Sequence, residues 1–413
     1  MSPSVLTSFP SDQTLFEHYA HEDDGEACPG AFKRVKLYHD SSPSDADSTR
    51  TLAGASSRSS GDDSETLSGQ NLSNDEDHSI HSDNNVHLMI ADQAPHEESD
   101  ISSNRMSDPE EDEYRCLPGS KKLRRLLEGS DHLIVCPGVF DGFSARVAMS
   151  VGFEGLYMTG AGTTASRLGM PDLAIAQLHD MREQAEMICN LDPCGPPVIA
   201  DMDAGYGGPI MVARAVQQYA RAGVAGFHIE DQILSKRCGH LKGKEVVDTN
   251  IFLMRIRAAK KAKDQIRSDI VLIARTDALQ TRGYDECIAR LKAARDLGAD
   301  VGILEGFTSK EQARQAVSDL APWPLLLNMI ENGASPLIST QEAQEIGFRI
   351  MIFSLAALSS AYVAMKAMFE KLKAEGVTGV PKHVTPKKLF EVVGLDDMRE
   401  TDEAAGGAAF AKV

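Results

Sequence analysis

The chain has 413 residues, 42% hydrophobic and 25% charged, with 42 Lys and Arg against 61 Asp and Glu for a net charge of -19. That length exceeds one average domain and suits a large barrel with extra chain attached. The acidic balance argues against nucleic acid or an anionic membrane surface as a partner, because both select basic protein surface.

The charge is unevenly placed. Residues 1–115 hold 25 of the acidic and 7 of the basic residues, leaving a nearly balanced 36 against 35 in the rest. The same segment carries 21 Ser and stretches such as Asn74-Asp75-Glu76-Asp77. Few clusters of large apolar side chains are present to offset the entropy of ordering, so a disordered acidic arm is expected over 1–115. Within it, Lys33-Arg34-Val35-Lys36 is a weak nuclear-import candidate, a pattern more often just a solvated patch. The first residues show no basic stretch followed by an apolar run, and no run reaches the roughly 18 apolar residues of a membrane span. A soluble cytoplasmic protein is the expectation. Seven cysteines (Cys28, Cys116, Cys136, Cys189, Cys194, Cys238 and Cys287) are an odd number spread over a long chain, which suits reduced thiols.

After Leu117-Pro118-Gly119, short apolar runs alternate with amphipathic segments, the pattern of parallel strands joined by helices. Eight runs are present: 133–136, 155–159, 197–203, 226–231, 270–277, 301–306, 324–329 and 349–354. Gly152, Gly223 and Gly298 each follow a helical segment and precede a run, as helix stops do. Eight such units in about 300 residues predict an α/β fold of the (β/α)8 TIM-barrel type, with the catalytic barrel and its eighth helix over 116–375. A doubly wound sheet would need fewer strands or a second domain. Residues 376–413, with Gly376, Pro381 and Gly406-Gly407-Ala408-Ala409, are read as a C-terminal extension with a lesser helix and a frayed end.

In such a barrel the chemistry gathers at the C-terminal ends of the strands. The third run ends Asp201-Met202-Asp203, and residues two apart on a strand share a face, so both carboxylates are expected to point one way. The fourth ends His228-Ile229-Glu230-Asp231. Oxygen donors of this kind suit a hard cation such as magnesium. Singly, each acid reads better as a helix cap or an ion-pair partner; their convergence favours the metal. Arg275 in the fifth run suits a substrate carboxylate, although with Glu305 of the sixth it equally forms a salt bridge across the barrel mouth. The seventh run offers Asn328. After the fourth run, Lys236-Arg237-Cys238-Gly239-His240 places a thiol among three potential cations, a setting for proton transfer to a bound substrate or for redox sensing. Gly160-Ala161-Gly162-Thr163-Thr164-Ala165 fits a dinucleotide pattern, but its sequel Ser166-Arg167-Leu168-Gly169-Met170-Pro171-Asp172 reads as a carboxylate-cradling loop.

Over about residues 120–375 these motifs resemble the isocitrate lyase and phosphoenolpyruvate mutase superfamily, and the Lys236–His240 loop marks its carbon–carbon bond lyases. Further matches are Tyr157-Met158-Thr159-Gly160-Ala161, Leu168-Gly169-Met170-Pro171-Asp172, Asp201-Met202-Asp203 and His228-Ile229-Glu230-Asp231. The resemblance implies a magnesium-dependent enzyme, with manganese as a substitute, acting on a small 2-oxo or 2-hydroxy dicarboxylate. Asp201 and Asp203 would hold the ion, with Asp172 and Glu230 supporting it through water. Tyr157, with the amides of Thr159, Gly160 and Ala161, would meet substrate oxygens; Arg275, Asn328, His228 and Gly239 complete the substrate set. Cys238 would be the general acid, tuned by Lys236, His240 and Glu305, while Tyr157, Asp172 and a metal-bound hydroxide all remain open as the base. Related lyases commonly read Ser-Gly-Gly where this chain has Thr159-Gly160-Ala161. Ser354, at the end of the eighth run, matches the oxalate-forming branch acting on oxaloacetate, whereas branches acting on 2,3-dimethylmalate or 2-methylisocitrate often carry Pro. The alternatives are a lyase of those substituted malates and a non-catalytic scaffold barrel. A homotetramer is also implied, with the helix starting near Ala356 packed on a neighbouring subunit.

Overall fold

The computed structural model describes residues 117–129 and 132–412. The acidic arm expected over 1–115, the Lys33–Lys36 patch, Cys28 and Cys116 lie outside the described residues.

Eight strands run in parallel: β1 Ile134–Val139, β2 Leu156–Met158, β3 Val198–Asp201, β4 Gly226–Glu230, β5 Val271–Thr276, β6 Val301–Leu304, β7 Leu326–Asn328 and β8 Ile350–Phe353. Their order is β6-β5-β4-β3-β2-β1-β8-β7, and a parallel bridge from Gly302 to Leu325 joins the two ends into a closed barrel. The eight apolar runs of the sequence coincide with these strands, so the chain is a (β/α)8 barrel.

The helices are α1 Gly119–Gly129, α2 Gly142–Val151, α3 Gly160–Thr163, α4 Leu178–Cys189, α5 Pro209–Ala222, α6 Thr249–Gln265, α7 Leu279–Arg282, α8 Tyr284–Asp296, α9 Lys310–Leu320, α10 Thr340–Ile346, α11 Ala356–Glu375, α12 Pro386–Val392 and α13 Leu395–Ala404. Local chemistry sets their ends. Asp141 caps α2 by accepting the Ser144 N–H at 2.7 Å, and Ser144 returns the bond to the Asp141 N–H. Pro209 opens α5, whose C-cap Gly223 takes the left-handed conformation (φ +93°) that returns its N–H to the last turn.

Two apolar layers result. The helices pack on the outside of the strands, while Ile134, Ile199, Val271, Ile273, Ile303 and Ile352 fill the barrel interior. Leu123 of α1 joins that inner cluster, and the Lys122 ammonium beside it donates to the carbonyls of Cys194 and Gly195 at 2.8 Å. The loop expected after β2 is instead helical: Thr159 caps α3, and a π turn over Thr164–Leu168 continues it before Gly169 ends the segment. The C-terminal extension holds two short helices, α12 and α13, rather than one. By contrast with the other long helices, α11 has no buried residue in its 20. No described helix is long and apolar enough to cross a membrane.

Candidate active site

The strands' C-terminal ends and the loops after them line a narrow cavity of about 20 Å³. Of the residues singled out in the sequence, Tyr157, Thr159, Ala161, Asp172, Asp201, Glu230, Lys236, Cys238, Gly239, His240, Arg275, Asn328 and Ser354 line it. Gly160, Asp203, His228 and Glu305 lie behind that wall, each against a residue that forms it.

Strand register sets the first contacts. β3 and β4 pair Asp201 with His228, and β4 and β5 pair Glu230 with Arg275. His228 is fully buried; its Nε2 lies 2.8 Å from the Tyr157 hydroxyl and 3.7 Å from Asp201 Oδ1. Burial lowers the His228 pKa, against the opposing pull of Asp201. Burial, with Asp201 nearby, also pushes the Tyr157 phenol well above its usual range. Behind Asp201, Tyr219 donates to its carbonyl at 2.8 Å and meets Tyr206 at 2.8 Å. Gly160 is required here by space: a Cβ would fall 2.4 Å from Asp201 Oδ2.

The shared face expected for Asp201 and Asp203 ends at the strand's end. β3 stops at Asp201, and Asp203 takes a left-handed conformation (φ +46°), so two-residue alternation no longer applies. Its N–H donates to Asp201 Oδ1 at 2.9 Å, and its carboxylate turns to Lys236. The Lys236 ammonium sits 2.5 Å from both Asp172 Oδ1 and Asp203 Oδ1, drawing the loop after β4 onto the carboxylates of two other segments. Burial and the neighbouring Asp201 and Asp172 charges push Asp203 up to about 7, against the pull of Lys236. Glu230 is likewise raised by burial, whereas His228, Lys236 and Arg275 hold Asp201 below the usual range despite its burial.

Arg275 faces three acids: Asp277 Oδ2 at 2.8 Å, Glu230 Oε2 at 3.4 Å and Glu305 Oε2 at 3.7 Å. Glu305 in turn lies 2.9 Å from His240 Nε2, and the Asn328 amide donates to both its oxygens at 3.2 Å. Ser354 Oγ then donates to Asn328 Oδ1 at 2.6 Å. The Cys238 N–H donates to the Asp172 carbonyl at 3.2 Å, which sets the thiol on the cavity wall. Burial raises the Cys238 pKa, so it stays a protonated thiol near neutral pH. Gly239 packs so close that a Cβ would lie 2.3 Å from Arg275 Nη2.

Sequence reasoning assigned no role to Asp277, Ile330 or Leu355. Asp277 was visible as the end of the fifth run, but its bond to Arg275 depends on the turn after β5. Ile330 and Leu355 add apolar wall beside Asn328 and Ser354.

The donor set fits a hard divalent ion. Its members are carboxylates, and Glu230 Oε1 is buried without a hydrogen-bond partner. Among the described residues no three His, Cys, Asp or Glu side chains close into a cage. Magnesium accepts that arrangement, since one or two carboxylates commonly hold it while waters and substrate oxygens complete the octahedron.

Residues 123–373 match the family model described as phosphoenolpyruvate phosphomutase. The 2,3-dimethylmalate lyase of Eubacterium barkeri is 35% identical over 283 residues, covering 68% of this chain and 96% of that protein. A structure of oxaloacetate acetylhydrolase with the inhibitor 3,3-difluorooxalacetate superposes with a TM-score of 0.70 at 67% identity, covering 71% of this chain and 98% of the other. A 2,3-dimethylmalate lyase structure superposes equally well, TM-score 0.70 at 61% identity, covering 72% and 98%. A phosphonopyruvate hydrolase in complex with oxalate and Mg²⁺ is more distant, at 26% identity and TM-score 0.61, covering 70% and 99%. Membership among these lyases and hydrolases makes the chain an enzyme that cleaves carbon–carbon bonds rather than a scaffold. The chain belongs to the phosphoenolpyruvate mutase/isocitrate lyase superfamily.

Proposed function

We propose that the enzyme hydrolyses oxaloacetate to oxalate and acetate in a magnesium-dependent reaction, with manganese able to substitute. The observation that carries this reading is Ser354 at the cavity wall, its hydroxyl 2.6 Å from Asn328 Oδ1. A hydroxyl and an amide there can hydrogen-bond the hydrated C2 of oxaloacetate, which proline at that position would not do. The likeness to oxaloacetate acetylhydrolase supports the same choice.

In this reading Asp201 and Asp203 hold the ion, and Asp172 and Glu230 steady it through water. When bound, the ion supplies Lewis-acid stabilisation of negative charge developing at the C2 oxygen. Arg275 binds a substrate carboxylate, and Tyr157, oriented by His228, donates its phenolic hydrogen bond to a C2 oxygen. The amides near Thr159, Gly160 and Ala161 and the close backbone at Gly239 complete the substrate contacts. A base takes a proton from the hydrated C2; Tyr157 is held as a neutral phenol, and Asp172 on the cavity wall is the remaining protein candidate. The C2–C3 bond then breaks, its electron pair passing to C3 to give oxalate and the enolate of acetate. Cys238 returns a proton to C3, and Lys236, His240 and Glu305 set its surroundings. The net reaction is oxaloacetate plus water to oxalate, acetate and one proton.

A second reading, cleavage of 2,3-dimethylmalate or 2-methylisocitrate by the same residues, is favoured by the likeness to dimethylmalate lyases. Assaying purified protein with oxaloacetate, 2,3-dimethylmalate and 2-methylisocitrate, with and without magnesium, separates the two. Turnover of oxaloacetate well above the others is the expected result; preference for a substituted malate overturns the first reading. We also propose a homotetramer in which α11 packs on a neighbouring subunit, because Tyr362, Val363, Met365 and Phe369 are all exposed on it. A reducing, cytoplasmic setting suits Cys136, Cys189, Cys238 and Cys287, which are free thiols.

A further inference from the structure

Lys244 lies six residues beyond Cys238, outside the motif, yet its side chain is fully buried. Its ammonium meets Asp277 Oδ1 at 2.8 Å, and that oxygen is also 3.1 Å from Arg275 Nη2. Two cations therefore share one buried carboxylate. The segment carrying Cys238 rests on this pair twice, since Gly239 stands over the same Arg275 and Asp277. The foot of the segment is closed by the antiparallel bridge of Gln232 with Val246 and by the Ile233 N–H to the Glu245 carbonyl at 3.0 Å. Lys244 enters just inside that foot.

We infer that Lys244 is a positioning residue that acts through Asp277, sharing its charge so that Arg275 stays open to a substrate carboxylate and pinning the Cys238 segment above it. The physical reason is electrostatic. A buried carboxylate left with Arg275 alone gives its full charge to that guanidinium, in a setting where water does not screen it. Arg275 would then offer less to an incoming anion, and the thiol segment would lose its inner anchor. This inference rests on the proposed role of Arg275 toward a dicarboxylate.

The test compares Lys244→Met, Lys244→Arg and the double variant Lys244→Met/Asp277→Asn with the wild type, each as the full chain. Two readouts are taken: the rate of Cys238 alkylation by iodoacetamide without substrate, followed by peptide mass, and KM and kcat for whichever dicarboxylate the wild type turns over. Lys244→Met is expected to speed Cys238 alkylation and to raise KM more than it lowers kcat, on the order of tenfold to a hundredfold, as displaced positioning groups do. Lys244→Arg keeps the cation and restores most of both. The double variant removes the buried charge left unpaired, so it folds even if Lys244→Met does not, and it retains the fast alkylation. A folded Lys244→Met with the wild-type alkylation rate and KM, or failing that a folded double variant with the wild-type alkylation rate, would overturn the inference. Absence of turnover by the wild type on every dicarboxylate overturns the substrate reading instead, and the alkylation contrast then decides the role of Lys244 by itself.

Discussion

The two ends of the barrel are made from the same strands and do opposite work. Along β5, Val271 and Ile273 belong to the dry interior cluster, while Arg275, two residues further on, stands among Asp277, Glu230 and Glu305. The lower end is filled by branched apolar side chains with α1 beneath it. The upper end crowds charges whose pairing is incomplete, as at Glu230 Oε1. The difference teaches that stability is concentrated where side chains interlock, and chemistry where buried charge is left available.

The contrast is tested most severely by removing the ion. Chelation is expected to abolish turnover, and added magnesium to restore it, with little change in far-UV circular dichroism. Cys238→Ala comes next: kcat is expected to fall by about 10²- to 10⁴-fold, the usual worth of a positioned proton donor, with the thermal midpoint nearly unchanged. Ile273→Ala should do the reverse. It opens a cavity in the packed interior and is expected to cost about 2–5 kcal/mol of stability in denaturant unfolding while KM stays near the wild-type value. Ser354→Ala is smaller, about tenfold in kcat/KM for oxaloacetate, with less change for 2,3-dimethylmalate.

The mildest test is titration of stability at the boundary between the two ends. Arg275 and Lys244 hold the Asp277 carboxylate well below its ordinary range in the folded chain, against its burial. A depressed folded-state pKa contributes stability that is present above the unfolded-state value and is lost as pH falls further. The stability difference between wild type and Asp277→Asn is therefore expected to shrink progressively below about pH 4, as read by thermal unfolding at a series of pH values. A difference that stays constant through that range would mean that the carboxylate is not ion-paired.

Much of this was legible in the order of residue types. Eight apolar runs with glycine stops between them mark a barrel because a strand buried on both faces needs a continuous apolar stretch. Polar residues at the ends of those runs marked the site for the complementary reason, since a buried carboxylate or guanidinium is tolerated only where it has a partner or a ligand. Asp203 shows where such reading stops: alternation of faces holds only while the backbone stays extended, and at φ +46° it no longer does. The segment after β2 reads as a loop because Ser166–Asp172 carries no amphipathic period, yet capping by Thr159 is enough to start a helical turn.

The sequence by itself determined the fold, the strand-end acids and the thiol loop, because each is written as a local pattern of apolar periodicity or adjacent polar residues. Tertiary structure alone decided which charges meet. Lys236 reaches Asp172 across 64 positions, and Lys244 reaches Asp277 across 33. His240 reaches Glu305 only once β6 is in place beside the loop. These pairings depend on distances between strand ends, which barrel closure sets, and charge interactions weaken too quickly with separation and solvent to be read from spacing along a chain.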